Sequence, residues 1–234
     1  INLEDVFAKI KSIHAPDKRV ELFDIQFNSK NGNLILSGET TSKKAFTLLL
    51  DTLKNINSKF TNNVRFLPDS AVGNLKYAIA KNSVINIRSK PKHSAELGTQ
   101  GLLGMPLKVL DKKGDFYRIQ TPDNYISWVD KGGITRMNLQ DFMSWNNAKK
   151  VIFTQNFGYV YTDTSINSTI VSDISLGGIL QYIAEDGTFY KVKYPDNRTG
   201  FIKKTEASLY DFWLENNTLS KENIETIAKK MMGF

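Results

Sequence analysis

Few residues of this chain could do covalent chemistry. It has no cysteine and two histidines, His14 and His93. A thiolate nucleophile, a thiolate zinc site and a disulfide are therefore excluded within these 234 residues. A histidine base needs a nucleophile and an orienting partner within hydrogen-bond reach. His14, however, ends a predicted helix and His93 falls in a loop of a different predicted unit, so helix-end and surface roles account for both. No His/Asp/Glu cluster has metal-ligand spacing, and no glycine run has the flanks of a phosphate loop; neither metal nor cofactor is expected.

Asp123 and Asp196 recur at equivalent places, as an acid/base pair might be imagined to do, but each sits in a Pro-Asp-Asn run whose residue types specify a turn. Recognition chemistry remains. Phe116 and Tyr117 are adjacent in a predicted strand and must face opposite sides. With Phe116 placed inward, Tyr117, Tyr125 and Trp128 with Arg88 would line a shallow aromatic and cationic site for an acidic peptide or glycan. Core packing is the competing role for Trp128.

These residues lie in a repeated stretch. Phe116-Tyr117-Arg118-Ile119-Gln120-Thr121-Pro122-Asp123-Asn124 returns 73 residues later as Phe189-Tyr190-Lys191-Val192-Lys193-Tyr194-Pro195-Asp196-Asn197. At the same offset Gly177 matches Gly104, Gly187 matches Gly114 and Leu180 matches Leu107, as a duplicated domain would give. Each copy reads as short strands punctuated by Gly and Pro, the pattern of a small β-barrel. In the first copy Ile85-Asn86-Ile87-Arg88-Ser89-Lys90-Pro91, Gly104, Phe116-Tyr117-Arg118-Ile119 and Ser127-Trp128-Val129 follow in order. That succession resembles bacterial SH3-like domains, with Lys90 and Ser127 standing where those carry glycine. The second copy keeps Gly200-Phe201-Ile202 but has Gly158-Tyr159-Val160-Tyr161-Thr162-Asp163 in place of the Asn-Ile-Arg segment, so a ligand is expected on the first copy.

Upstream, Leu3, Val6, Phe7, Ile10 and Ile13 recur at helical spacing, with Asn2 to cap and Pro16 to stop. Val20, Leu22, Ile25 and Phe27 read as a strand that changes phase near Phe23. Asn31-Gly32 then supplies a hairpin turn that sets Phe27 against Leu36. Ile25, Phe27, Leu34 and Leu36 would face a helix carrying Phe46, Leu49, Leu50, Leu53 and Ile56, with Val64 and Phe66 extending the sheet. The pattern resembles the BON-type α/β modules of bacterial envelope proteins. Between the copies, Leu139 to Trp145 is too apolar for a free linker and should pack between the barrels. Past the second copy, Phe212, Trp213 and Leu214 lead to a helix capped by Ser220, with Ile224, Ile227, Ala228 and Met231 on one face and Gly233 at its end.

The expected fold is mainly β with an α+β N-terminal module: residues 1–70 a BON-like module, 71–136 and 149–210 two tandem SH3-like barrels, 137–148 a connector, and 211–234 a C-terminal helix. Ile224 to Phe234 resembles the entry to an NlpC-type cell-wall peptidase domain, a family in which paired SH3-like domains precede the catalytic one. The resemblance implies a non-catalytic N-terminal region of a γ-D-glutamyl-L-diamino-acid endopeptidase, with a cysteine peptidase domain to follow. The barrels would bind peptidoglycan stem peptides and gate the downstream cleft. It further implies that the first barrel meets a free amine, for which Asp115 or Asp123 beside Tyr117 or Tyr125 would be electrostatically suited.

A start at Ile1 rather than Met fits a removed signal peptide, hence a periplasmic or extracellular protein, or else a trimmed sequence. The net charge of +7 is concentrated: residues 71 to 136 hold eleven basic and five acidic groups. That concentration supports a rival reading, a stand-alone basic module for nucleic acid or an acidic protein, with nucleic acid the lesser expectation. No apolar run approaches the roughly 20 residues of a membrane helix.

Overall fold

The computed structural model describes residues 2–30, 32–56, 58–218 and 220–230. Asn31 of the expected hairpin turn, the side chain of Ile227, and Met231, Gly233 and Phe234 at the expected C-terminal helix end lie outside the described residues.

The N-terminal unit runs α1 (Leu3–His14), β1 (Phe23–Lys30), β2 (Asn33–Thr40), α2 (Lys43–Asn55) and β3 (Phe60–Phe66). Asn2 Oδ1 accepts the Glu4 N–H at 3.1 Å and Ser42 Oγ accepts the Ala45 N–H at 3.3 Å, capping otherwise unsatisfied donors of α1 and α2. β2 pairs antiparallel with β1 and parallel with β3. Phe27 stands opposite Leu36, as the turn residues predict. Leu34 and Leu36 are buried together with Phe46, Leu49 and Leu53 of α2 and Phe7 and Ile10 of α1. Burying each such side chain is worth roughly 1.5–3 kcal/mol, which ties both helices to the sheet. The expected change of phase near Phe23 is absent: β1 begins at Phe23 and pairs regularly, whereas Val20 and Glu21 close a turn on the Asp17 carbonyl.

The first repeat contains β4 (Tyr77–Ala80), β5 (Val84–Arg88), β6 (Leu97–Leu102), β7 (Pro106–Lys113), β8 (Phe116–Gln120), β9 (Ile126–Asp130) and β10 (Ile134–Met137). After α3 (Leu139–Asn147), the second contains β11 (Lys150–Phe153), β12 (Phe157–Tyr161), β13 (Ile170–Ser175), β14 (Ile179–Asp186), β15 (Phe189–Lys193), β16 (Thr199–Lys203) and β17 (Ala207–Leu209), followed by α4 (Tyr210–Asn216) and α5 (Lys221–Lys230). Strand orders are β10-β4-β7-β8-β9-β5-β6 and β17-β11-β14-β15-β16-β12-β13, the same path walked twice.

The correspondence reaches the irregularities. Register slips between Ile87 and Arg88 and between Val109 and Asp111 recur between Val160 and Tyr161 and between Tyr182 and Ala184. Asn124 (φ 68) and Asn197 (φ 72) both take the left-handed conformation that asparagine tolerates in tight turns. Neither sheet is a closed barrel: β10 and β6 edge the first and β17 and β13 the second, each bonded on one side only. One face of the first sheet nevertheless covers a shared core of Ala78, Ile85, Ile87, Leu107, Val109, Ile119 and Val129.

The apolar connector forms α3, capped by Asn138, whose Oδ1 accepts the Asp141 N–H at 2.9 Å. Trp145 is buried beside Ile79 and Met137, and Phe142 stacks on Tyr77 at 4.6 Å. Leu139 and Met143, on the other side of the helix, are each 52% exposed, so half of the connector packs as expected and half faces outward. Ahead of it, the turn between β6 and β7 plugs the second repeat: Leu103 belongs to the second repeat's core, and its carbonyl accepts the Ile179 N–H at 2.9 Å. Gly104 (φ 86) lets this turn through, because any Cβ there would collide with the Ile179 carbonyl.

Candidate functional site

Strand alternation decides which groups of the first repeat can meet a ligand. In β8, Tyr117 and Ile119 face the shared core, leaving Phe116, Arg118 and Gln120 on the other side. In β9 and β5 the same logic sends Trp128, Asp130, Asn86 and Arg88 outward, opposite Val129, Ile85 and Ile87.

The N-terminal unit covers one half of that outer face. Arg118 lies over the Trp128 ring, 4.8 Å from its centroid, and donates to Glu39. Glu39 also accepts from Arg65 at 2.6 Å, and Arg65 continues to Asp111 at 2.8 Å and Asp69 at 3.1 Å. Burial pushes the Glu39 carboxyl up, but the Arg118 and Arg65 guanidinium groups outweigh it and hold the group below its usual value.

The other half is an open cleft of about 200 Å³, whose lining includes Asn82, Asn86, Arg88, His93, Phe116 and Asp130. Arg88 is braced by donating Nη1–H to the Ala95 carbonyl at 2.8 Å. His93 packs edge-on against Phe116 at 5.0 Å, with Nε2 3.6 Å from the Asp130 carboxylate. A fixed guanidinium, an imidazole, a carboxylate and two amides converge there. These lining groups suit binding of a zwitterionic or amide-rich ligand and include no thiol or hydroxyl nucleophile.

Of the six residues singled out from sequence, Arg88 alone lines this cleft. Trp128 is its cross-strand partner but is buried beneath Arg118. Tyr117 packs on the core, its ring 4.6 Å from the Arg136 guanidinium and its hydroxyl accepting from Arg136 at 3.1 Å. Tyr125 packs on the same core. Asp115 sits in the turn before β8, where a 2.8 Å bond to Lys131 lowers its carboxyl, and Asp123 lies in the turn after β8, accepting from the Thr121 hydroxyl. The two carboxylates therefore bracket the strand instead of sharing a site. Phe116 is buried as expected, but on the side away from the shared core, which turns Tyr117 inward. Asp130 was missed although it pairs with Phe116 across β8 and β9; His93 lies in a loop that no periodicity reaches.

A family model described as a bacterial SH3 domain matches residues 83–135, which span β5 to β9 and nearly the whole cleft. This stretch is similar to bacterial SH3 domains. The SH3 domain supplies Arg88, His93, Phe116 and Asp130 from one contiguous segment. The gamma-D-glutamyl-L-lysine dipeptidyl-peptidase of Bacillus cereus (strain ATCC 10987 / NRS 248) is 25% identical over 147 residues, covering 59% of this chain and 43% of that protein. The chain thus spans under half the length of this curated relative. A crystal structure of an NlpC/P60 family protein from Bacillus cereus ATCC 10987 is similar over 57% of this chain and 56% of that one, at 22% identity and a TM-score of 0.49. An NlpC/P60 endopeptidase from Photobacterium damselae subsp. piscicida is similar over 73% of this chain and 39% of that one, at 14% identity and a TM-score of 0.43. The SH3 match and the curated relative are the likenesses that bear on function. Among the described residues, no helix is long and apolar enough to cross a membrane.

Proposed function

We propose that this chain is the non-catalytic, substrate-recognising region of a γ-D-glutamyl-L-diamino-acid endopeptidase, working on the periplasmic or extracellular face of the cell envelope. In this reading the SH3 cleft receives a peptidoglycan stem peptide and gates a peptidase domain supplied by the same longer protein. The carrying observation is the open cleft in the matched SH3 domain, with Arg88 placed for a peptide carboxylate and Asp130 for an amine. The lack of any cysteine in the chain agrees with recognition as opposed to a cysteine peptidase's chemistry.

Co-sedimentation with purified sacculi tests the proposal. The intact chain should pellet with sacculi, lose retention when they are first digested with lysozyme, and lose most of it in an Arg88→Ala, Asp130→Asn double variant. Equal pelleting of the variant would remove the cleft from the mechanism. The positive charge of residues 71 to 136 favours one rival, an acidic polymer bound through charge alone. Retention collapsing steeply between 50 and 200 mM salt, to the same extent in wild type and double variant, would support that rival instead.

A further inference from the structure

We propose a second binding site in the cleft between the repeats, built to hold the carboxylate end of a short peptide. The cleft encloses about 320 Å³ between β10, α3 and the second repeat, at the lower end of the roughly 300–1,000 Å³ usual for small-ligand sites. Thr135, Ser144, Gln181, Lys193 and Asn197 line it beside the buried Trp145. None of these five polar side chains has an intramolecular hydrogen bond or ion pair within the described residues, and Thr135 Oγ1 is buried without one. Buried protein polar groups are normally paired with protein or with water. Here the Thr135 hydroxyl is buried and unpaired, and the half-buried Gln181 and Lys193 and the exposed Ser144 and Asn197 present their polar ends to the solvent of the cleft.

Charge selects the ligand. Arg136 also borders the cleft, but its guanidinium is occupied by the Val72 and Leu75 carbonyls and the Tyr117 hydroxyl. Asp141 is occupied by Asn138. Asp141 keeps its negative charge at the exposed rim, and among the described residues the Lys193 ammonium is the lining cation without a hydrogen-bond or ion-pair partner, a donor for one anionic group, with two amides and two hydroxyls around it to pair with peptide N–H and C=O groups. The duplication provides an internal control. Lys193 occupies the position of Gln120 in the first repeat, where the neutral amide donates to the Val20 and Asn124 carbonyls and is satisfied by its surroundings. The second repeat places a cation there, with no hydrogen-bond or ion-pair partner among the described residues.

This site is separate from the SH3 cleft, and its test keeps the two apart. The intact ¹⁵N-labelled chain is titrated with N-acetyl-alanyl-alanine, with its C-terminal amide, and with acetate, while amide shifts are mapped. The acid should give saturable shifts centred on Gln181, Lys193 and Asn197. The amide and acetate should bind at least tenfold more weakly. Lys193→Met and Gln181→Ala should each weaken the acid at least fivefold, Lys193→Arg should retain it, and Arg88→Ala should leave it unchanged. Equal response to acid and amide, a response to acetate as strong as to the peptide, shifts centred on Arg88 and His93, or no saturable binding would each overturn the proposal.

Discussion

Thr135 shows how much a single atom can report. Its Oγ1 is, among the described residues, the buried side-chain polar atom that lacks a hydrogen bond, on a strand otherwise paired normally with β4. Leaving such a hydroxyl unsatisfied costs about 1–3 kcal/mol, and valine has the same shape without it. Thr135→Val should therefore stabilise the unliganded chain by on the order of 1 kcal/mol, read from the urea midpoint at constant slope; destabilisation would mean that solvent satisfies the hydroxyl. At this scale the sequence was partly legible. Arg88 stood out because a short motif surrounds it, whereas Thr135 and Lys193 acquire meaning only from what faces them across a cleft between distant segments. The two histidines were read as structural or surface groups, and His93 is such an exposed surface group, lying at the edge of the SH3 cleft.

At the scale of elements, local chemistry was legible and facing was not. The Pro-Asp-Asn turns, the capping residues and the register of β1 on β2 all follow from residues near one another in sequence, and all are present. The orientation of β8 resisted because Phe116 and Tyr117 are both aromatic, so hydrophobicity could not say which belonged inside; Ile119 decides it by lying in the core with Tyr117. The open sheets resisted for a related reason: closure depends on whether the two outer strands meet, a contact that no short window encodes. One consequence concerns β2 and β8, joined through Glu39 and Arg118. The folded Glu39 carboxyl titrates below its usual value, so its stabilisation is complete above the ordinary carboxylate range and is lost as pH falls through the folded value. Wild type should be more stable than Glu39→Gln at pH 7, with the gap closing toward pH 3. A gap that stays constant over that range would show that the ionised carboxylate is not what holds the N-terminal unit on the SH3 domain.

At the scale of the whole molecule, an N-terminal unit precedes a duplication whose copies differ in what covers them. The strand path, both register slips and the turn asparagines are shared, while the outer faces differ: the first copy lies partly beneath the N-terminal unit and partly opens as the SH3 cleft. The repeat itself was plain in the sequence because it preserves spacing. The interlock between copies was invisible there, since Leu103 looks like any apolar residue before a strand. Its side chain is 1% exposed and lies in the second repeat's core. Leu103→Ala should cost about 2–5 kcal/mol, as other large-to-small core changes do. Hydrogen exchange should rise first in β11, β14 and β15 with the first repeat protected; the opposite order would mean that Leu103 serves its own repeat.

That borrowed leucine also sets an order of assembly. A nascent chain releases the first repeat from the ribosome before the second has been made. The turn carrying Leu103 is then available as a ready mould around which β11, β14 and β15 can condense. The second copy is in this sense not a free-standing module but a graft, and moving it alone into another protein would mean carrying residues 102–104 with it or supplying a substitute for them.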